Sequence, residues 1–261
     1  MPSFRSSLAA TLRRFAPPLA FIAVIAAWEF SCWFFAIPTF LLPAPSRIVA
    51  GLFEQPWPIW PGHTFATLRV AVMGYVAAIV VSIPLAVALA SSPLLSRTLY
   101  PMIVVVHSTP IVAVAPIIVV TLGTTDLPRV FITFLITFFP IVVTTTAGLL
   151  ATPEEMVELS RSLRAGKVRE MLHIRLPFAV PYIFSALRIS TTLAVIGAVV
   201  AEFVAAERGL GFFIQFSTSF FKINQGYAAL VVLVIISLGF FQLVGLAQRV
   251  FVPWSLPKSE R

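Results

Sequence analysis

The chain has 261 residues, 59% of them hydrophobic and only 11% charged. A soluble domain carries about 25% charged residues, so this chain is too apolar to fold in water and long enough to cross a membrane several times. Its net charge of +8 reads, in that setting, as cationic loops beside a bilayer rather than as a nucleic-acid footprint.

Arg5, Arg13 and Arg14 precede an apolar run over residues 15–37, interrupted by Glu29. The run is span-length, longer than the core of a cleaved signal, and is read as a retained first helix. Cys32, the one cysteine, cannot form an internal disulfide and reads as a buried thiol. Residues 38–61 are rich in proline and tryptophan and suit a membrane interface, with Ser46 placed to cap a short amphipathic helix through Phe53. The second span covers 64–90 and a short polar turn follows over 91–97. The third span covers 99–122 and contains Pro101, Pro110 and Pro116, and a second turn over 123–129 holds Asp126. The fourth span is 130–150, the fifth 178–205 and the sixth 227–247, with a mixed loop over 206–226. Each run is near the ~20 residues that cross ~30 Å of hydrocarbon. Prolines inside spans two to four predict kinks. No internal repeat or second domain is visible, so residues 1–261 read as a single all-α, polytopic membrane domain of six helices.

The interval 151–177, ATPEEMVELSRSLRAGKVREMLHIRLP, is the longest polar stretch between two apolar runs. Thr152 is placed to cap a helix, Pro153 suits its first position, and Glu155 completes a T-x-x-E box. Met156, Leu159 and Leu163 fall at i, i+3 and i+7, one apolar stripe on a charged helix. Ala165-Gly166 breaks it. A second short helix over 167–175 is expected to stop before Leu176-Pro177, because the residue before a proline disfavours the helical region.

Charge sets the orientation. With the N-terminus inside, the inner segments hold Arg5, Arg13, Arg14, Arg97, Arg161, Arg164, Lys167, Arg169, Arg175, Arg249, Lys258 and Arg261, twelve in all. The outer segments hold Arg47, Arg129, Arg208 and Lys222, which is four. Both termini and the 151–177 loop are therefore expected in the cytoplasm.

There is no G-x-x-x-x-G-K-[ST] loop, so the chain is not expected to hydrolyse ATP, and no convergent catalytic set makes it an enzyme. His63, His107 and His173 lie on different segments, so no metal site is expected. Ionisable and hydroxyl groups inside spans are the candidates for a translocation pathway, each with a plainer alternative. Glu29 contacts a neighbouring helix or serves function. Arg188 snorkels to the inner interface or serves function. His107, followed by Ser108, Thr109 and Pro110, packs between helices or lines a cavity opened by a broken helix. Thr144, Thr145 and Thr146 bond back to their own helix or face a pore. Glu202 gates a cavity or bonds to a loop amide. Gly209 and Gly211 mark a tight turn.

The loop resembles the EAA loop of ABC importer permeases, whose pattern is Glu-Ala-Ala, a glycine four residues after the second alanine, and an Ile-x-Leu-Pro ending. Glu158, Ile174, Leu176 and Pro177 stand at that spacing, Leu159-Ser160 replace the alanines, and Arg164 stands where the glycine is usual, with Gly166 two residues later. Leu42-Pro43-Ala44-Pro45-Ser46, Val200-Ala201-Glu202-Phe203 and Gly209-Leu210-Gly211 are similar to the branch that carries nitrate, taurine, aliphatic sulfonates and vitamin precursors. The resemblance implies a type I importer: two permease subunits, identical or not, in the bacterial cytoplasmic membrane, two cytoplasmic ATPase subunits that bind the ATP, and an extracytoplasmic substrate-binding protein. It implies that Glu158, Ser160, Leu163, Ala165, Gly166, Ile174, Leu176 and Pro177 contact the ATPase, with His107, Ser108, Thr109, Thr145 and Glu202 as pathway candidates. The chain itself would hold no cofactor or metal. Few cations fall within the spans, so the sequence does not indicate a tight anion site in the pore. An ion-coupled secondary transporter is the alternative, but it would need coupling charges near the midplane and an inverted repeat, and neither is visible.

Overall fold

The structure, a computed structural model, describes residues 4–256; Lys258 and Arg261 of the charge count lie outside them. Eleven α-helices follow in order: α1 (Phe4–Phe34), α2 (Pro45–Phe53), α3 (Ile59–Ser91), α4 (Pro93–Ser108), α5 (Ile111–Leu122), α6 (Asp126–Leu150), α7 (Glu154–Ser162), α8 (Lys167–Glu170), α9 (Leu176–Ala205), α10 (Leu210–Ser219) and α11 (Ile223–Phe251), and no strand occurs among the described residues. Five stretches are long and apolar enough to cross a bilayer: Ala16–Phe34, Ile59–Ser91, Asp126–Leu150, Lys167–Ala205 and Ile223–Phe251. A sixth is made if α4 and α5, bent by 91°, count as one. The six expected runs are thus present, the third of them broken.

The break has a local cause. Pro110 has no amide to donate, and Thr109 before it is extended (φ −73, ψ 125), as a residue preceding proline prefers. Pro84 and Pro140, where kinks were also expected, stay inside the continuous helices α3 and α6. The 206–226 stretch, expected as a loop, instead contains α10 and the start of α11. The apolar run Leu210–Ile214 supplies the buried residues Leu210, Phe213 and Ile214, and buried backbone must form its own hydrogen bonds.

Contacts divide the chain into two compact units. The first holds α1, α2 and the stretch Ile214–Val231. Here Ser46 does not cap α2, contrary to expectation. Its hydroxyl donates to Glu29 Oε1 at 2.7 Å and its amide donates to Glu29 Oε2 at 3.0 Å. The carboxylate of α1 thus occupies the N-terminal amides of α2, where anions are favoured. Gln225 completes this unit, donating to Glu54 at 3.0 Å and accepting from Gln55 at 2.9 Å. Cys32 is buried, as expected.

The second unit holds Trp60–Phe213 and the chain from Val232 onward. Its axis is the pair α6 and α9, which pack extensively along one another. Thr133 of α6 is wedged between Gly74 of α3 and Gly197 of α9: a Cβ at Gly197 would lie 2.9 Å from Thr133 Cα. Small residues of this kind let membrane helices approach closely. Tyr75 of α3 donates to Leu187 O of α9 at 3.0 Å, and Ser82 of α3 donates to Phe138 O of α6 at 3.1 Å.

The turn at Gly209 closes the far end of this unit. Gly209 has φ +134, a region open in practice to glycine alone, and a Cβ there would run into the Glu202 carboxylate. Gly209→Ala should therefore lose about 1–3 kcal/mol from the backbone alone. Gly62→Ala, where nothing lies within 4 Å, should melt like the parent. Thermal unfolding of the two variants in detergent makes the comparison; equal melting of Gly209→Ala and the parent contradicts it.

Candidate functional site

The interval between α6 and α9 forms the expected polar helix and turn, with the turn placed differently. Thr152 does not cap α7. It is buried and its hydroxyl donates to Leu149 O at 3.1 Å, closing the end of α6. Pro153 is the N-cap residue of α7 rather than its first helical one, and no side-chain cap bond forms. The chain then reverses at Arg164, which has φ +55. Leu163 and Arg164 amides donate to Leu159 O and Arg161 O, and the Ala165 amide returns to Ser160 O at 2.9 Å. Gly166, taken from the sequence as the break, is extended with φ −67 and has nothing within 4 Å of a Cβ. The left-handed position is thus the one where the resembled pattern has glycine, and here an arginine bears that strain.

The second helix does not stop before Pro177. α8 passes through a π-helical turn, Met171–Arg175, directly into α9, and Leu176 is helical at φ −65, ψ −48. A π turn widens the ring by one residue: the Leu176 amide donates to Met171 O. That register is the physical reason a proline is tolerated one residue later, where an α-helical register would place its ring against the carbonyl of His173.

Glu170 braces the loop. Its carboxylate accepts from Arg175 Nε at 2.8 Å and from Arg161 Nε at 3.4 Å, while Arg175 also donates to Leu149 O at 3.4 Å. Glu170 is buried, and its two arginines come from α7 and from the π turn. One carboxylate therefore ties both arms of the loop to the end of α6. Arg161 is largely exposed, so its contact is screened by solvent, and the contact with the little-exposed Arg175 is the stronger of the two. The sequence reading overlooked Glu170 because four glutamates in the interval look alike on paper. The available signal was its position five residues before Arg175, one turn of a π-helix.

The outer face of the loop is apolar and open. Leu159 is 62% exposed and Leu163 76%, with Met156 beside them. Together with Ser160, Ala165, Arg169, His173 and Ile174 they line a hollow of about 420 Å³. Among the expected coupling residues, Glu158 and Gly166 are exposed. Ser160 is buried and donates to Val157 O at 2.9 Å. Leu176 packs against the cluster of Leu149, Met171, Ala179 and Ile183. Pro177 is exposed on the first turn of α9.

The pathway candidates are not brought together. No hydrogen bond or ring contact among the described residues joins His107, Thr145 and Glu202. His107 stacks flat on Phe139 with centroids 3.8 Å apart. Ser108 and Thr109 donate back to Val104 O and Val105 O of their own helix. Thr145 is wholly buried within its packing and its hydroxyl finds no partner, so it faces no open cavity. Glu202 is 1% exposed and accepts from the Gly211 amide at 2.7 Å. Around it the Leu210 amide donates to Thr67 at 2.8 Å and His63 meets Gly209 at 3.0 Å. This network is the start of α10, held by α3 and α9. The sequence analysis also left Asp126 unused; it pairs with Arg69 of α3 and with Arg129 of α6, at the edge of a cavity of about 750 Å³ that Arg208 also lines.

Comparison with known proteins agrees with this architecture. The model of the family described as "Binding-protein-dependent transport system inner membrane component" matches residues 78–255. The chain is 32% identical to the riboflavin transport system permease protein RibX of Chloroflexus aurantiacus, over 91% of this chain and 89% of that one. It is 31% identical to the formylaminopyrimidine transport permease protein ThiX of Halalkalibacterium halodurans, over 91% of this chain and 95% of that one. In fold it resembles the inward-facing MetNI methionine ABC transporter, with a TM-score of 0.60, 22% identity, and coverage of 83% of this chain and 99% of that one. The ion-coupled alternative has no support among these matches. A polytopic helical chain with a braced polar loop between its two central helices, matched by that model over more than half its length, belongs to the permease family of ABC importers.

Proposed function

We propose that the whole chain works as one permease domain that carries a small solute of the vitamin-precursor type, delivered by an extracytoplasmic binding protein, and that its 151–177 loop seats on a cytoplasmic ATPase. The observation that carries the reading is the loop itself: an apolar stripe, Leu159 and Leu163, left open on a scaffold that Glu170 makes rigid. Burying a leucine side chain is worth ~1.5–3 kcal/mol, so a partner that covers this stripe is well rewarded. Exposed Glu158 and Arg169 beside it supply a charged rim. The substrate class is supported by the two relatives named for riboflavin and formylaminopyrimidine transport. The sulfonates, nitrate and taurine expected from sequence are the competing classes. Two such permease subunits and two ATPase subunits complete the transporter, and ATP is bound and hydrolysed by the latter. The permease acts mechanically and forms no covalent intermediate.

The loop makes two predictions. Glu158→Lys should insert normally, because it touches no span, yet lose ATP-driven uptake and weaken retention of the ATPase about ten-fold or more. Co-purification and uptake measure both; parental values for both reduce the loop to a topology anchor. At the turn, Arg164→Gly should be tolerated or slightly stabilising, since it removes a left-handed non-glycine residue, and Gly166→Val should leave assembly and thermal stability near the parental values. A collapse of assembly in Gly166→Val, with Arg164→Gly harmful, would place the turn at Gly166 after all.

Both termini lie in the cytoplasm in this reading, on the twelve-to-four distribution of Lys and Arg. Cysteines placed at Ser3 and Ser259, positions outside the described residues, should resist an impermeant thiol reagent applied to intact cells. Ready labelling of either reverses the orientation and removes the loop from the side where ATP is.

A further inference from the structure

Arg188 lies inside α9, about 18 Å along the helix from Leu176 and nearer the loop end than the far end. Its side chain turns toward α11. Its guanidinium packs over the Phe241 ring of α11, 4.6 Å from Cζ to the ring centroid, and its Nε is buried with no hydrogen-bond partner. Gly245 of α11 makes the room: a Cβ there would lie 3.4 Å from three guanidinium atoms. Two hollows meet at this side chain. One of about 370 Å³ is also lined by Gln242 and Arg249, and the other, of about 280 Å³, by Ser185, Gln248 and Ser255. Among the described residues no carboxylate lines either. A ring face returns only part of what it costs to desolvate a guanidinium, so the arrangement is electrostatically incomplete. Among the described residues, the carboxylates within the predicted spans, Glu29 and Glu202, accept from Ser46 and Gly211 instead.

We propose that Arg188, with Gln242 beside it, is an oxyanion site in the half of the membrane nearer the loop. The planar fork of a guanidinium matches a group with two or three equivalent oxygens, and the flanking amide donates a further hydrogen bond. Phosphate, sulfonate and carboxylate share that chemistry. The group comes either from the phosphodiester of a lipid headgroup lodged between α9 and α11 or from a soluble anion in the pathway. The sequence showed few cations in the spans; the structure adds that this one is given room by a glycine and has no carboxylate beside it among the described residues.

The test uses the assembled transporter, purified with its ATPase in a maltoside detergent, which carries no phosphate, after ATP-driven uptake has been verified for the same preparation. One arm adds phosphatidylglycerol and counts retained lipid by native mass spectrometry; the other adds sodium sulfate and follows binding by calorimetry. The wild-type complex should bind one of the two probes saturably, one per permease chain. Saturation by phosphatidylglycerol alone assigns the site to lipid, and saturation by sulfate assigns it to a soluble anion. Arg188→Gln should weaken the bound probe about ten-fold or more, and Arg188→Lys less. Gly245→Leu keeps the cation but fills its space and should also abolish binding, so the result does not depend on Arg188→Gln folding. No saturable binding of either probe by the wild type, or parental binding by both Arg188→Gln and Gly245→Leu, overturns the inference while uptake stays intact. Failure of the ATPase to co-purify would instead overturn the function proposed above.

Discussion

The structure depends on one constraint: inside a bilayer no water is available to bond a backbone amide or carbonyl. Continuous helix is the cheap solution, and each place where the helix starts, stops or bends must find a partner within the chain. At the start of α2 that partner is Glu29, at the start of α10 it is Glu202, and at the start of α6 it is the Thr125 hydroxyl, which accepts from Leu127 N. At the start of α4, Ser92 accepts from Leu95 N. The acids in the spans are thus spent on helix ends. That use explains why a chain so poor in charge keeps Glu29 and Glu202 at membrane depth.

Much of this was legible in the sequence because the same constraint writes itself into composition. Six apolar runs of span length announce six crossings, and the structure has five helices long and apolar enough, or six if the bent pair α4 and α5 is one span. The proline-broken third run was also legible, since Thr109-Pro110 removes an amide and pushes the preceding residue out of the helical region. The loop stood out as the one long polar interval. What could not be read was pairing across distance. Ser46 looks like a helix cap and is one end of a bond to a residue 17 positions earlier. Glu202 looks like a pathway acid because it is an acid in a span. Only the turn that brings Gly211 back over α9 shows that one oxygen of its carboxylate is already taken by a loop amide. The three threonines of α6 carry no periodic mark to say that Thr145 points into packing rather than into a pore.

The loop shows where local rules misdirect. Proline before a span and glycine after a helix are the usual stop signals, and both Pro177 and Gly166 were read that way. The chain overrides each by a different device. A π turn absorbs Pro177 without ending the helix, and Arg164 takes the left-handed conformation that a glycine would hold more cheaply. Strain of ~1–3 kcal/mol at a non-glycine left-handed residue persists only where the surroundings insist on it. Here the insistence comes from both sides of the turn: the Ala165 amide is fixed on Ser160 O and the Glu170 carboxylate clamps the two arms.

Rigidity at the loop matters because of what is attached to it. α6 ends and α9 begins at the loop, and these two helices pack extensively along one another. At their other ends lie Asp126 with Arg69 and Arg129, and Glu202 with the Gly209 turn. A close-packed pair moves as a body and does not deform along its length, because interdigitated side chains leave no room for gradual shear. Thr133, set against Gly74 and Gly197, removes what slack would remain between α3, α6 and α9. In the proposed function, a displacement imposed on the braced loop would reach the far end of the pair as a tilt. A loop that flexed at Gly166 would dissipate it; one locked through Arg164 and Glu170 passes it on. On this view the arginine that replaces the usual glycine is not a defect in the turn. Its cost is offset by the Ala165 amide on Ser160 O and by the Glu170 clamp, contacts that a glycine at this position would keep.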